Sequence, residues 1–174
     1  MHACMDGLLG ELLSLTDSAY GFIGEIRRDE GGHQILQIHA LAGIAEHPHA
    51  PATQSSPQAT DLVFHDPDNL FGWAMRTGDV VLSTDPVNDP RSKGLPPGHP
   101  PLSAFLGMPF RDGEELIGGV GIANRPGGYD IELAAGFRPV LAAWGRMIQA
   151  LPLYSWGGRV GRMLALDAGE ADVA

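Results

Sequence analysis

His99 stands in the stretch Gly94-Leu95-Pro96-Pro97-Gly98-His99-Pro100-Pro101-Leu102, at a point where glycine lets the backbone come close to another group. A neutral imidazole there can donate to, or accept from, a polar ligand, and its charge would make binding pH-sensitive. The same ring can instead bond a carbonyl of its own loop and fix it; both roles are open. Asp89 and Arg91, two apart in a tight turn, form a second candidate, because Arg91 can clamp a ligand carboxylate or phosphate with two parallel bonds. An Asp-Pro turn in which Asp89 caps and pairs with Arg91 needs no ligand. Asn124 and Arg125 pose the same choice between touching a ligand and holding the turn after them. Phe71, Trp73, Met75, Phe105 and Met108 supply apolar surface for a pocket wall or for core. Phe71, Trp73, Arg91, His99, Phe105 and Asn124 are the candidate ligand contacts.

Other chemistry has little material. Cys4 is the single cysteine, so an internal disulfide and a thiolate metal cluster are excluded, and its place near the start of the chain suits neither nucleophile nor chromophore attachment. His47-Pro48-His49 and His65-Asp66 offer imidazoles without a third ordered ligand at metal spacing. Gly119-Val120-Gly121 opens no helix and is no dinucleotide fingerprint. No Gly-x-Ser-x-Gly, Walker or paired-acid arrangement occurs, so no catalytic residue, metal or cofactor is expected.

Charge narrows the partners. Twenty-one acids against eleven bases give a net charge of −10 over 174 residues. Binding to nucleic acid needs clustered Lys and Arg that release condensed counterions, whereas here Lys93 is the one lysine and the arginines are scattered. An anionic membrane surface is excluded on the same ground. No apolar run reaches the length of a membrane span and no basic-then-apolar leader opens the chain, so a cytoplasmic location is expected.

Periodicity places these residues on elements. Met5, Leu8, Leu9, Leu12, Leu13 and Leu15 predict an amphipathic helix over 5–16. Tyr20 to Arg28 and Ile35 to Leu41 alternate as strands around the turn Asp29-Glu30-Gly31-Gly32. Glu46 to Thr60 reads as a mobile surface loop, and Leu62-Val63-Phe64 as a short buried piece. Asp68-Asn69 caps a helix over 70–77 that Gly78 stops, and Val80-Val81-Leu82 is a short strand. Residues 85–102 hold six prolines, too many for a central strand or regular helix, and read as an ordered lid. Two strands follow, Ser103 to Phe110 and Glu115 to Asn124. Glycines at 118, 119 and 121 suggest close packing of a helix or ligand.

Asp130 caps a long helix with Leu133, Phe137, Val140, Leu141, Trp144, Ile148 and Leu151 on one face, which Pro139 should kink or break. Turns this short join antiparallel strands, so the class is α+β, with both terminal helices on one sheet face and the short helix and lid on the other. Residues 5–151 form the expected domain, and 152–174 a tail or linker with at most a weak terminal helix.

Asn69-Leu70-Phe71-Gly72 with Thr77-Gly78, then Asp89-Pro90-Arg91-Ser92, the Gly94–Leu102 stretch, Phe105-Leu106-Gly107, Pro109 and Gly121 to Asp130 together resemble a GAF domain. This is a ligand-sensing module common in bacterial signalling proteins. The lid is similar to that of a subgroup found in sensor kinases and diguanylate cyclases. The resemblance implies a six-stranded antiparallel sheet, a small-molecule pocket on one face and homodimerisation through the terminal helices on the other. It also implies a downstream signalling enzyme as partner. The family's methionine sulfoxide reductases work through cysteines near the pocket, and no Cys follows position 4 here. A regulatory binding module is therefore expected, with a ligand-free dimerisation module and an enzyme as the alternatives.

Overall fold

Six extended segments, each alternating apolar side chains between two faces, pair into one sheet. The computed structural model describes residues 2–43, 63–65, 69–95 and 99–150. Its strands are β1 (Tyr20–Arg28), β2 (Gln34–Ala42), β3 (Val63–His65), β4 (Val81–Ser83), β5 (Phe105–Asp112) and β6 (Glu115–Ala123). Every pairing is antiparallel, in the order β3-β2-β1-β6-β5-β4. Asp29 closes the β1–β2 turn by accepting the His33 amide at 2.9 Å, with Gly32 at φ 81°. Pro109 is tolerated inside β5 because the ladder to β4 ends at Gly107.

The alternation puts Ile23, Leu106, Met108, Val120 and Ile122 on the face covered by helices α1 (His2–Thr16) and α3 (Ile131–Ala150), and a register shift in β2 opposite Ile23 and Gly24 brings Ala40 to the same face. Phe22, Leu36, Ile38 and Phe105 face the other way, toward the short helix α2 (Leu70–Thr77). The α+β architecture and the division of helices between the two faces agree with the sequence reading.

Local capping explains the helix limits. Asn69 accepts the Gly72 amide at 2.9 Å, and Gly78, at φ 73°, ends α2 in the left-handed conformation. Asp130 accepts the Leu133 amide at 2.7 Å to start α3. That helix runs unbroken through Pro139, so of the expected kink or break the break does not occur. Pro139 and Ala135 both lie on the exposed side, where water can serve the carbonyl that loses its intrahelical donor.

The buried stripes also differ in detail. Leu15 lies opposite the α1 stripe at 72% exposure, and Val140 is 41% exposed. Ala134 and Gly145 take the contact on α3 instead. A β-carbon on Gly145 would stand 2.7 Å from the Arg111 carbonyl oxygen, so glycine there sets the close approach of α3 to β5. The 46–60 loop and the 152–174 tail lie outside the described residues.

Candidate ligand-binding site

A cavity of about 220 Å³ lies between the sheet and the lid. Its floor is Phe22 of β1, Leu36, Ile38 and Leu41 of β2, Phe105 of β5, and Gly121 and Ala123 of β6. One wall is the start of α2, Asn69 to Phe71; the roof is Ser92, Gly94, Leu95, His99 and Leu102. Tyr20 closes one end. The Phe22 and Phe71 rings meet edge to face, with centroids 4.5 Å apart.

Glycine shapes this floor, although the three glycines of β6 do different work. A β-carbon on Gly121 would lie 2.7 Å from the Phe22 ring and 3.2 Å from that of Phe105, so its absence seats both rings. Gly119 receives the Met75 side chain of α2. Gly118 has the opposite parity and lies against Phe110, which belongs to the helix-covered core.

The two ends of the lid are held differently. At its start, Asp89 accepts from Arg91 Nε at 2.9 Å, Arg91 Nη2 at 2.7 Å and the Arg91 amide at 3.0 Å. Arg91 Nη2 also donates to the Leu82 carbonyl at 2.8 Å. These Arg91 hydrogen bonds hold the Asp89 carboxyl well below the usual carboxylate range. At its end, the Pro101 carbonyl accepts from both Tyr20 Oη at 3.2 Å and Asn124 Nδ2 at 2.8 Å. Asn124 Oδ1 accepts from the Ser103 amide at 2.8 Å and its hydroxyl at 3.1 Å. Asn124 does this from the left-handed region, at φ 62°. Burial pushes the Tyr20 phenol up to about 12, with Tyr129 adding to the shift.

Of the six candidate contacts, Phe71, His99 and Phe105 line the cavity. Trp73 does not: it sits on the outer side of α2, 40% exposed, because side chains two apart on a helix face different ways. Arg91 is turned onto Asp89 and Leu82, the pairing that needs no ligand. Asn124 holds the lid rather than the lining. His99 bonds its own loop, its Nδ1–H donating to the Pro100 carbonyl at 2.7 Å, and its ring also lines the cavity.

Tyr20, Leu36, Ile38 and Leu41 are lining residues that the sequence did not single out. Strand parity with Phe22 was a signal for Tyr20, whereas in β2 Leu36 and Ile38 have one parity and Leu41 the other, and the register shift opposite Ile23 and Gly24 brings all three to one face. Cys4 is exposed on α1. Among the described residues no group of three or more His, Cys, Asp or Glu could hold a metal, and no helix is long and apolar enough to cross a membrane.

A family model described as "GAF domain" matches residues 1–149 of the chain. No curated protein matches it. Among solved structures, the GAF domain of a phosphoenolpyruvate-protein phosphotransferase from Coxiella burnetii superposes with a TM-score of 0.67 at 19% identity, covering 85% of this chain and 82% of that one. The type II free methionine-R-sulfoxide reductase of Thermoplasma acidophilum is similar at a TM-score of 0.60 and 18% identity, over 84% and 91% of the two chains. The second GAF domain of DevS from Mycobacterium smegmatis gives 0.56 at 18%, over 92% and 99%. At such identities these likenesses speak for the fold alone, and the family model supplies the membership. The chain belongs to the GAF domain family, a family of regulatory and sensory modules.

Proposed function

We propose that this chain is a regulatory binding module of bacterial signalling. A small molecule held under the 85–102 lid would alter the packing of the terminal helices and, through them, a downstream signalling enzyme. The observation that carries the reading is the cavity of about 220 Å³ between an aromatic, glycine-thinned sheet face and a lid anchored at both ends. The lid motif fits the subgroup of sensor kinases and diguanylate cyclases. The chemistry argues for binding rather than catalysis: Cys4 stands on α1 rather than in the lining, and among the described residues the lining carries one imidazole and no carboxylate.

A route for coupling runs from the lid to α1. Asn124 holds Pro101, and the next amide, of Arg125, donates to Tyr129 Oη at 3.3 Å. Thr16 donates to the Leu12 carbonyl at 2.7 Å, so the Ser18 hydroxyl must donate to Thr16 at 2.7 Å and Tyr129 to Ser18 at 2.8 Å. A ligand acts through such a chain only if it binds one arrangement of the helices better than the other.

A thermal-shift screen of metabolites against the wild type and Leu102→Trp tests the reading, since the indole would fill the cavity. At a ligand concentration of one hundred times Kd a binder stabilises the fold by about 2.7 kcal/mol. The expected hit raises the wild-type Tm and leaves the variant unmoved. No hit, or equal shifts in both proteins, would count against a binding role. A ligand-free dimerisation module is the second reading, favoured by Leu15, Ile131 and Val140, which are 72%, 53% and 41% exposed on the helix layer. A monomer by light scattering at micromolar concentration would remove it.

A further inference from the structure

We infer that the ligand of this cavity is an uncharged, mainly apolar molecule with a single ring and one hydrogen-bond donor, an O–H or N–H, that pairs with His99. The inference rests on the binding reading above and concerns what kind of molecule fits.

Size comes first. An apolar cavity of about 150 Å³ admits benzene, so about 220 Å³ suits a ring with a few substituents, about nine non-hydrogen atoms. Shape follows from the three phenylalanines. Phe22 and Phe105 lie over the place where Gly121 has no side chain, and Phe71 meets Phe22 edge to face, so the three rings that line the cavity offer edges and faces to a flat guest.

The described part of the lining carries no charged side chain. No Asp, Glu, Lys or Arg of the described residues lines the cavity, and residues 96–98 of the lid are Pro-Pro-Gly, which carry none. A desolvated ion with no opposite charge costs several kcal/mol. The guanidinium nearest in sequence, Arg91, already meets a carboxylate and a carbonyl.

The donor follows from the tautomer. A carbonyl can only accept, so the 2.7 Å bond to Pro100 places a proton on His99 Nδ1. In the neutral ring Nε2 is then an acceptor, and a ligand must bring the hydrogen. Of the three other polar side chains in the described lining, Asn69 Oδ1 and Ser92 Oγ already accept the Gly72 and Gly94 amides, and the Tyr20 hydroxyl donates to the Pro101 carbonyl.

Calorimetric titration with three ring compounds of matched size tests this: 4-ethylphenol, 4-ethyltoluene and benzoate, each against the wild type and His99→Phe. The expected result is binding of 4-ethylphenol that weakens about tenfold in His99→Phe, the loss of one hydrogen bond. Equal binding of 4-ethyltoluene by both proteins would show that the cavity survives the substitution. Benzoate should bind far more weakly than 4-ethylphenol. Benzoate binding as tightly as 4-ethylphenol would overturn the neutral class and leave the binding module standing. Equal losses of 4-ethylphenol and 4-ethyltoluene in His99→Phe would overturn the pairing with His99. Silence from all three compounds overturns the ligand class; only silence from the metabolite screen as well would overturn the binding role.

Discussion

Replacing Asn124 by alanine removes its three hydrogen bonds of 3.1 Å or less at the end of the lid, beside a longer one of 3.5 Å from the Ala104 amide, and forces a residue with a β-carbon to keep a φ of 62°. Because Ser103 is exposed and water can replace its bonds, each bond is taken at the low end, about 0.5 kcal/mol. The left-handed backbone adds about 1 kcal/mol for alanine, since asparagine tolerates it better. Asn124→Ala should therefore cost about 2.5 kcal/mol. Glycine at 124 loses the same bonds without the backbone term, so Asn124→Gly should cost about 1.5 kcal/mol. In a chain of this size the alanine variant would melt about 5–10 °C lower than the wild type. Urea unfolding of the two variants without any ligand checks both numbers. Equal losses in the two variants would refute the backbone term. Losses below about 0.5 kcal/mol in both would refute the claim that Asn124 holds the lid.

Three other perturbations probe separate parts of the site. The Asp89 carboxyl is depressed by Arg91, below an unfolded value near 3.9, so its stabilisation is present above that value and is lost as pH falls from about 5 downward. Asp89→Asn should flatten that acid limb in urea midpoints measured against pH, and parallel curves for the two proteins would contradict the pairing. Gly121→Ala pushes the Phe22 ring toward the cavity; it should cost about 1 kcal/mol, the low end for overpacking because the ring has room to move, and weaken any cavity ligand. Unchanged affinity would show that the rings do not border the bound molecule. Tyr129→Phe takes the end hydroxyl from the Thr16–Ser18–Tyr129 chain and should cost about 1–2 kcal/mol. Its effect should not add to that of Ser18→Ala, so an additive double-mutant cycle would break the proposed route.

The elements were legible where one local rule decided them. Tyr20–Arg28 is a strand within its expected limits because its alternation is clean, and Leu70–Thr77 is bounded by an Asn cap and a Gly stop whose side-chain and φ requirements are local. The interior of α3 was less legible. Pro139 breaks a helix only when its surroundings cannot serve the orphaned carbonyl, and that depends on exposure, which tertiary packing decides. Ala134 and Gly145 look like gaps in an apolar stripe until the neighbouring strand is known, and then they are the contact.

The site followed the same division. Phe105 reaches the cavity by strand parity and His99 through the lid motif, whereas the phase of the short α2 helix against the sheet turned Phe71 inward and carried Trp73 outward. Arg91 and Asn124 are polar residues with strong local partners. Their hydrogen bonds to Asp89 and Ser103 compete with any ligand, and short-range chemistry of that kind favours structure over binding.

Crystals pressurised with xenon test the central claim most directly, because xenon enters apolar cavities without needing a particular functional group. The account expects a xenon site bounded by Phe22, Phe71 and Phe105 beneath His99. Crystals showing no xenon there, with Leu95 and Leu102 folded down to fill the space, would contradict it.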